Sequence, residues 1–469
     1  MKCINILILC CTCQLLIGQA TKMELLSVWR DSTIKGTRQY SNAYNACWGL
    51  VVNGKEYGVI GSTVGTHIID YSDPTTPKEI FRLKGREQGT HVVHREYFDY
   101  NCHLYIVCGE GNKNTLQILD ISKLPNEIKM VYDTNTLFTT CHDLFIDQQK
   151  GILYTTSEYS KSGFAPLGVY DINDPSNPKL LGRFSKFENY RVGHVHAGSA
   201  KNDTVIIHNG YDGFAILDFT DKTAPKVLQS FESNSYPNAG YNHSGWFHPN
   251  GRHYCFADET HRSPLKILDM NIISNSKIIN QIKAGPDISI GHNPYYTCDY
   301  LYISYYFDGL QVFDTKDPAN PYLSHYYPTS NLPHSDTDTS YMGAWDAYPF
   351  LPSGNVLVSD MQNGLFLIKG IEKPCNAIPQ CGSITSTNST DKRTVLLYQN
   401  PCRTTINFSS DEEFVQFEII QITGLIVSRG IFTSKNDYHI EIPNISPGAY
   451  FLKLFDKKRN CTILKVVIE

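Results

Sequence analysis

From about residue 23 to residue 371 the chain is a succession of short apolar runs broken by polar turns, and the runs are rich in Val, Ile and Tyr and too short for helices. The pattern apolar-x-apolar-apolar-Asp returns as "THIID", "LQILD", "LGVYD", "FAILD", "LKILD" and "LQVFD". Its aspartates, Asp70, Asp120, Asp171, Asp218, Asp269 and Asp314, are spaced by 50, 51, 47, 51 and 45 residues. A seventh unit, "GLFLIKG", carries Lys369 at the same place. Other strand-like runs, such as "LYIVCG", "VIIHNG" and "LYISYYF", bring each unit to about four strands, the content of a propeller blade. The pattern therefore predicts an all-β chain with a seven-bladed β-propeller over residues 21–372.

After the aspartates come "SDPTTP", "NDPSNP", "TDKTAP" and "KDPANP". An Asx side chain accepts from the backbone two residues on, and proline cannot extend a ladder, so these acids are expected to form turns rather than to bind ligands. The last unit runs out of chain near Ile371. "MELLSVW" (23–29) resembles the strand that follows each turn elsewhere and is predicted to close the ring as the outer strand of blade seven. Beyond Glu372 the texture becomes polar and rich in Ser and Thr, which predicts a linker over 373–394. Alternating strands over 395–469 then predict a small Ig-like β-sandwich.

Net charge is −5, with no basic stripe, which argues against a nucleic-acid partner. Residues 1–20, "MKCINILILCCTCQLLIGQA", have the lysine, apolar stretch and small residues of a secretory signal peptide, and no later segment is apolar enough for a transmembrane span. Of 14 cysteines, four lie in that leader. The other ten would meet an oxidising compartment, and the local pairings Cys375 with Cys381 and Cys402 with Cys461 are expected. Outside the leader there is no CxxC, so a zinc ribbon is unsupported.

The strongest regularity is a histidine followed sixteen residues later by an acid: His94 with Glu110, His142 with Glu158, His196 with Asp212, His243 with Glu259, and His292 with Asp308. In the remaining two blades both members change, to Trp48 with Val64 and Trp345 with Met361. Each histidine should stand at the start of an inner strand and each acid at the end of the next, which places both at one mouth of the central channel. Two readings fit. A histidine and an acid that bond only to each other would brace the blade, since buried polar groups need partners. Alternatively, pairs that converge on the axis form a binding site, where a carboxylate fixes the imidazole tautomer and the rings hold zinc or another transition ion, or the acids hold calcium. "DTDTS" (336–340) begins like a calcium loop, but lacks the glycine at position six and the acid at twelve. The long segment 322–343 on the same face is a candidate lid or partner contact. Neither a P-loop, a GxSxG elbow nor a HExxH helix occurs.

The repeated units resemble the LVIVD-repeat propellers of the choice-of-anchor B family over roughly residues 23–372, most specifically in "HSGWFHPNGRHYCFADET", "GLQVFDTKDPANP" and "YPFLPSGNVLVSDMQNGLFLI". That family brings no secure activity with it. The tail resembles the C-terminal sorting domain of type IX secretion, in "YQNPCRTTINF", "IIQITGLIVSRG" and "ISPGAYFLKL", with Gln399 where that family usually has proline. This second resemblance implies export across two membranes of a Bacteroidetes-type cell by the type IX secretion machinery, removal of the tail, and release or attachment at the surface. Two functions from different classes follow. One is a non-enzymatic module that recognises a protein, glycan or small ligand through its histidine-lined axial face. The other is a metal-dependent hydrolase or lyase with a rim histidine or carboxylate as general base.

Overall fold

The computed structural model describes residues 20–188, 190–283, 290–333, 341–375, 381, 395–397, 401–410, 413–421, 425–432, 437–442, 445–457 and 461–468. The leader up to residue 19, the "DTDTS" stretch and nearly all of the expected linker lie outside the described residues.

Among the described residues of 20–371, seven sheets with four antiparallel strands follow one another, and in the first six the strands lie side by side in chain order. Their first strands are Tyr44–Val52, Arg95–Tyr100, Asp143–Asp147, Ala197–Lys201, Asn242–Phe247, Pro294–Tyr296 and Ala344–Tyr348. Each first strand packs beside that of the next sheet, and Ala344–Tyr348 returns to Tyr44–Val52, so the sheets close into a propeller around one axis. Third strands such as Phe214–Asp218 and Leu310–Asp314 are buried along nearly their whole length because neighbouring sheets cover both faces. Fourth strands such as Lys78–Lys84 are charged and half-exposed. Fully burying one Val, Leu or Ile contributes roughly 1.5–3 kcal/mol, and this gain recurs in every sheet.

All six repeat aspartates end third strands. In each case Oδ1 accepts the backbone N–H two residues on, at 2.7–3.0 Å, from Ser72, Ser122, Asn173, Thr220, Asn271 and Lys316. The seventh sheet takes its fourth strand from the start of the chain: Leu25–Trp29 runs antiparallel to Gly364–Ile368, with Leu25 opposite Ile368 and Trp29 opposite Leu365. Thr21–Lys22 also adds in parallel to Tyr322–Tyr327, the fourth strand of the sixth sheet. The segment expected to be a loop from residue 322 therefore begins with a strand.

The expected local disulfides do not form. Cys102 is bonded to Cys381 and Cys298 to Cys375, while Cys402 and Cys461 are free thiols. Nearness in sequence misled here, because Cys381 lies against the first sheet: its N–H donates to the Val51 carbonyl, and its own carbonyl accepts from Asn53. Residues 395–468 form a separate pair of sheets, one of three strands and one of four, around Ile406, Phe408, Ile419, Tyr438, Leu452 and Val466. No helix among the described residues is long and apolar enough to cross a membrane.

Candidate functional site

The histidine positions lie where the chain enters the innermost strands. His94, His142, His196 and His292 immediately precede or lead into them, and His243 and Trp345 are their second residues. A side chain at that point of an inner strand faces the axis. The rings meet edge to edge around it: His94 and His142 have centroids 4.8 Å apart, His142 and His196 4.3 Å, His196 and His243 4.0 Å, and His243 and His292 4.2 Å. Trp345 closes the circle, 5.4 Å from His292 and 5.2 Å from His94. All six line a cavity of about 390 Å³.

The acids mostly go elsewhere. Only His94 and Glu110 hydrogen-bond as expected, through Nδ1 and Oε1, while His243 and Glu259 come within ion-pair reach. Burial pushes the Glu110 carboxyl up, but the His94 ring and the His94 and Val93 amides outweigh it and hold it below its usual value. Glu158 lies within the long second strand Ile152–Ser160 and turns into its own sheet, where Thr155 Oγ1 (2.6 Å), Tyr170 Oη (2.7 Å) and Arg183 Nε donate to it. Asp212 and Asp308 sit in the same five-residue turn, closed from Asn209 N–H to the Gly213 carbonyl and from Tyr305 N–H to the Gly309 carbonyl. Gly213 and Gly309 hold the positive φ this turn needs, +89° and +72°. That geometry carries both aspartates to the hairpin tip, so neither bonds to its assigned histidine. Glu259 alone of the five acids lines the cavity. It stands 3.9 Å from His243 Nε2 and 3.7 Å from His292 Nε2, and accepts from Tyr306 Oη.

Trp48 also departs from its expected place. It lies lower on its strand, where Nε1–H donates to Asp99 Oδ1 at 2.8 Å, and it lines a second, smaller cavity beneath the histidines. Trp345 and Met361 do share the upper cavity.

Beneath the histidine ring is a polar layer that the sixteen-residue spacing does not reveal: Glu96, Asp143, Asn293 and Asp346 border both cavities or the lower one. The signal was present, since Asp143, Asn293 and Asp346 directly follow His142, His292 and Trp345. Asp346 Oδ1 accepts from Tyr295 Oη (2.9 Å) and Asn293 Nδ2 (3.2 Å). Burial, against the Leu144 N–H and with repulsion from Asp346, raises Asp143 to about 7; burial with repulsion from Asp143 and Asp346 raises Glu96 well above its usual value; and burial raises Asp346 to about 7 despite its hydrogen bonds. Lower still, Trp48, Phe98, Trp246, Tyr348 and Phe350 form a contiguous aromatic floor, with Trp48 4.5 Å from Phe98 and 4.9 Å from Tyr348. At the open end, Tyr40, Tyr211, Tyr241, Tyr306 and Tyr341 line the mouth. Tyr241 bonds to His194 Nε2 at 2.9 Å, and Tyr341 comes from the segment expected to act as a lid.

Burial and repulsion between rings hold His142, His196 and His243 well below the ordinary imidazole value. Burial takes His292 down to about 3 against a hydrogen bond to the Trp345 carbonyl that raises it. At neutral pH these rings are uncharged, and each offers one donor and one acceptor. His142 and His196 face each other through Nε2 at 2.9 Å, so a single proton lies between them.

Residues 396–469 match the secretion-system C-terminal sorting domain. A tail of this kind directs a chain to the type IX secretion machinery and so to the cell surface or the extracellular space. Among solved structures, the β-propeller domain of Cps50 (Swd1) from Myceliophteria thermophila is similar at a TM-score of 0.47 and 9% identity, over 67% of this chain and 94% of that chain. No curated protein matches the sequence.

Proposed function

We propose that the chain is an exported, seven-bladed propeller of the LVIVD-repeat, choice-of-anchor B kind that acts as a recognition module and takes a small polar ligand into its axial cavity. In this reading residues 1–20 are the leader, 21–372 the propeller, 373–394 a tether, and the Ig-like 395–469 the part handed to the type IX machinery. The carrying observation is the circle of five histidines and Trp345 around a cavity of about 390 Å³, a volume in the range of small-ligand sites. The neutral imidazoles of His142, His196, His243 and His292 present donors and acceptors without a net charge, the mouth tyrosines add hydroxyls and flat faces, and the aromatic floor closes the far end, so a ligand enters from one side.

Trp345 reports on the cavity. Titrating the purified chain with monosaccharides, amino acids and short peptides should give a saturable change in tryptophan emission for at least one class. The change should vanish in Trp345→Phe and weaken about tenfold in His243→Ala, the cost of one buried hydrogen bond. A folded chain whose emission no member of the panel alters at millimolar concentration would sink the recognition reading. Deleting residues 395–469 should strand the propeller in the periplasm of a host with a type IX system, and a truncated chain that still reached the medium would refute the export route.

A further inference from the structure

We propose that His196, His243 and Glu259 hold one divalent transition-metal ion, of the zinc class, on the cavity side of the histidine ring, with His292 on the other side of Glu259 as the nearest further ligand. This deepens the axial-cavity reading and rests on it.

One donor atom each from His196, His243 and Glu259 lies within 4.8 Å of the other two. Glu259 is shared: its Oε2 is 3.9 Å from His243 Nε2, and its Oε1 is 3.7 Å from His292 Nε2. Both distances are too long for hydrogen bonds. They are within a few tenths of an ångström of what two ligands of one ion adopt, since tetrahedral bonds of roughly 2.0–2.2 Å to a common zinc leave the donors roughly 3.3–3.6 Å apart.

The protons point the same way. The Trp345 carbonyl can only accept, so His292 Nδ1 carries the hydrogen and Nε2 turns a lone pair towards the carboxylate. Two acceptors then face each other where water is scarce, His243 being 4% and His292 3% exposed. That arrangement is repulsive unless a metal cation or a shared proton stands between them. An imidazole whose other nitrogen donates to a backbone carbonyl is also the common orientation of a metal ligand. A histidine kept only to brace its sheet should have its buried nitrogens satisfied. Here Nδ1 of both His196 and His243 is buried without a hydrogen-bond partner.

Three imidazoles and one carboxylate suit zinc, cobalt, nickel or copper. Calcium wants six to eight oxygens, and of the acids expected from the sequence to supply them only Glu259 borders the cavity.

The test uses the full chain without a histidine tag, stripped with EDTA and titrated with zinc chloride by calorimetry. We expect one equivalent bound at micromolar affinity or tighter, and, with cobalt, the visible absorption of a four-coordinate ion. Glu259→Gln and His243→Ala should each weaken zinc binding about tenfold or more, whereas His94→Ala, in the ring but outside the donor set, should keep one equivalent. Melting curves accompany each variant, and the near-isosteric Glu259→Gln guards against simple misfolding. A folded wild-type chain that takes up no zinc, or uptake unchanged by both Glu259→Gln and His243→Ala, overturns the proposal. Repeating the Trp345 titration on the stripped chain separates the two readings: a ligand response without zinc uptake removes the ion and leaves the cavity, while stoichiometric zinc without any ligand response supports the ion and counts against recognition.

Discussion

Cys102, at the first turn of the second sheet, is bonded to Cys381, 279 residues further along. Cys381 also bonds in both directions to the end of the first sheet's inner strand, through Val51 and Asn53. Cys381 thus ties the first two sheets together on the face away from the histidines. Closing so long a loop restricts the unfolded chain, so Cys102→Ser with Cys381→Ser should cost about 2–5 kcal/mol. Thermal melts with and without reductant check this. An oxidised chain whose melting temperature ignores reductant and substitution alike would show that the tie adds nothing.

The strand Leu25–Trp29 supplies the edge that the seventh sheet lacks. Trp29 is buried against Tyr44 and His67, with centroids 6.1 Å and 5.0 Å away. Trp29→Ala should cost roughly 3–5 kcal/mol. Removing residues 21–32 should cost more and bare a strand edge, which size-exclusion chromatography would register as self-association. Unchanged melting and a clean monomer peak would contradict the closure.

Glu158 is a structural acid, fully buried on the Arg183 guanidinium and the Tyr170 hydroxyl. Glu158→Gln should destabilise the chain by roughly 3 kcal/mol because it leaves the cation without its counter-charge. Adding Arg183→Met should restore part of that loss, and zinc binding should not change in either variant. A Glu158→Gln chain of normal stability that had lost the ion would restore Glu158 to the site.

Two buried groups away from the ring should give the stability profile opposite slopes. His208 bonds to Asn242 Oδ1 (2.6 Å) and Tyr254 Oη (2.8 Å), and burial, opposed by the Asn242 bond, lowers it to about 4. Its contribution is present above its unfolded value near 6.5 and lost as pH falls through about 4, a difference of roughly 3 kcal/mol. Asp99, raised to about 6 by burial against the pull of the Trp48 bond, acts in reverse. Its contribution is full below the unfolded value of 3.8 and disappears as pH rises through about 6. Denaturant melts from pH 3.5 to 8 should therefore show His208→Gln flattening the acid limb and Asp99→Asn the limb between pH 4 and 6. Variants that leave both limbs unaltered would contradict the assignments.

The ring of sheets was legible because its signals are local. An Asx turn depends on two residues of separation, and the repeat of Asp70 to Asp314 marks where third strands stop whatever the rest of the blade does. The axial histidines were legible for a similar reason, since entry to an inner strand fixes which way a side chain points. Their acids were not, because sixteen residues span a whole hairpin. A longer second strand at Glu158, or a tight glycine turn at Asp212 and Asp308, redirects the carboxyl without altering the count. Trp48 shows the same limit: the spacing was kept, but its position along the strand was not. The disulfides were hidden for the opposite reason, because they record contacts across the ring that no neighbouring residues encode.

The seam between Leu25 and Ile368 joins an early strand of the chain to the last strand of the ring. Until residues near 364 have emerged, Leu25–Trp29 has no strand to pair with, and the two end sheets of any folded portion each leave one face uncovered. Fragments from interrupted synthesis or premature cleavage should accordingly be degraded or clump, and only chains that have met their own beginning should persist outside the cell.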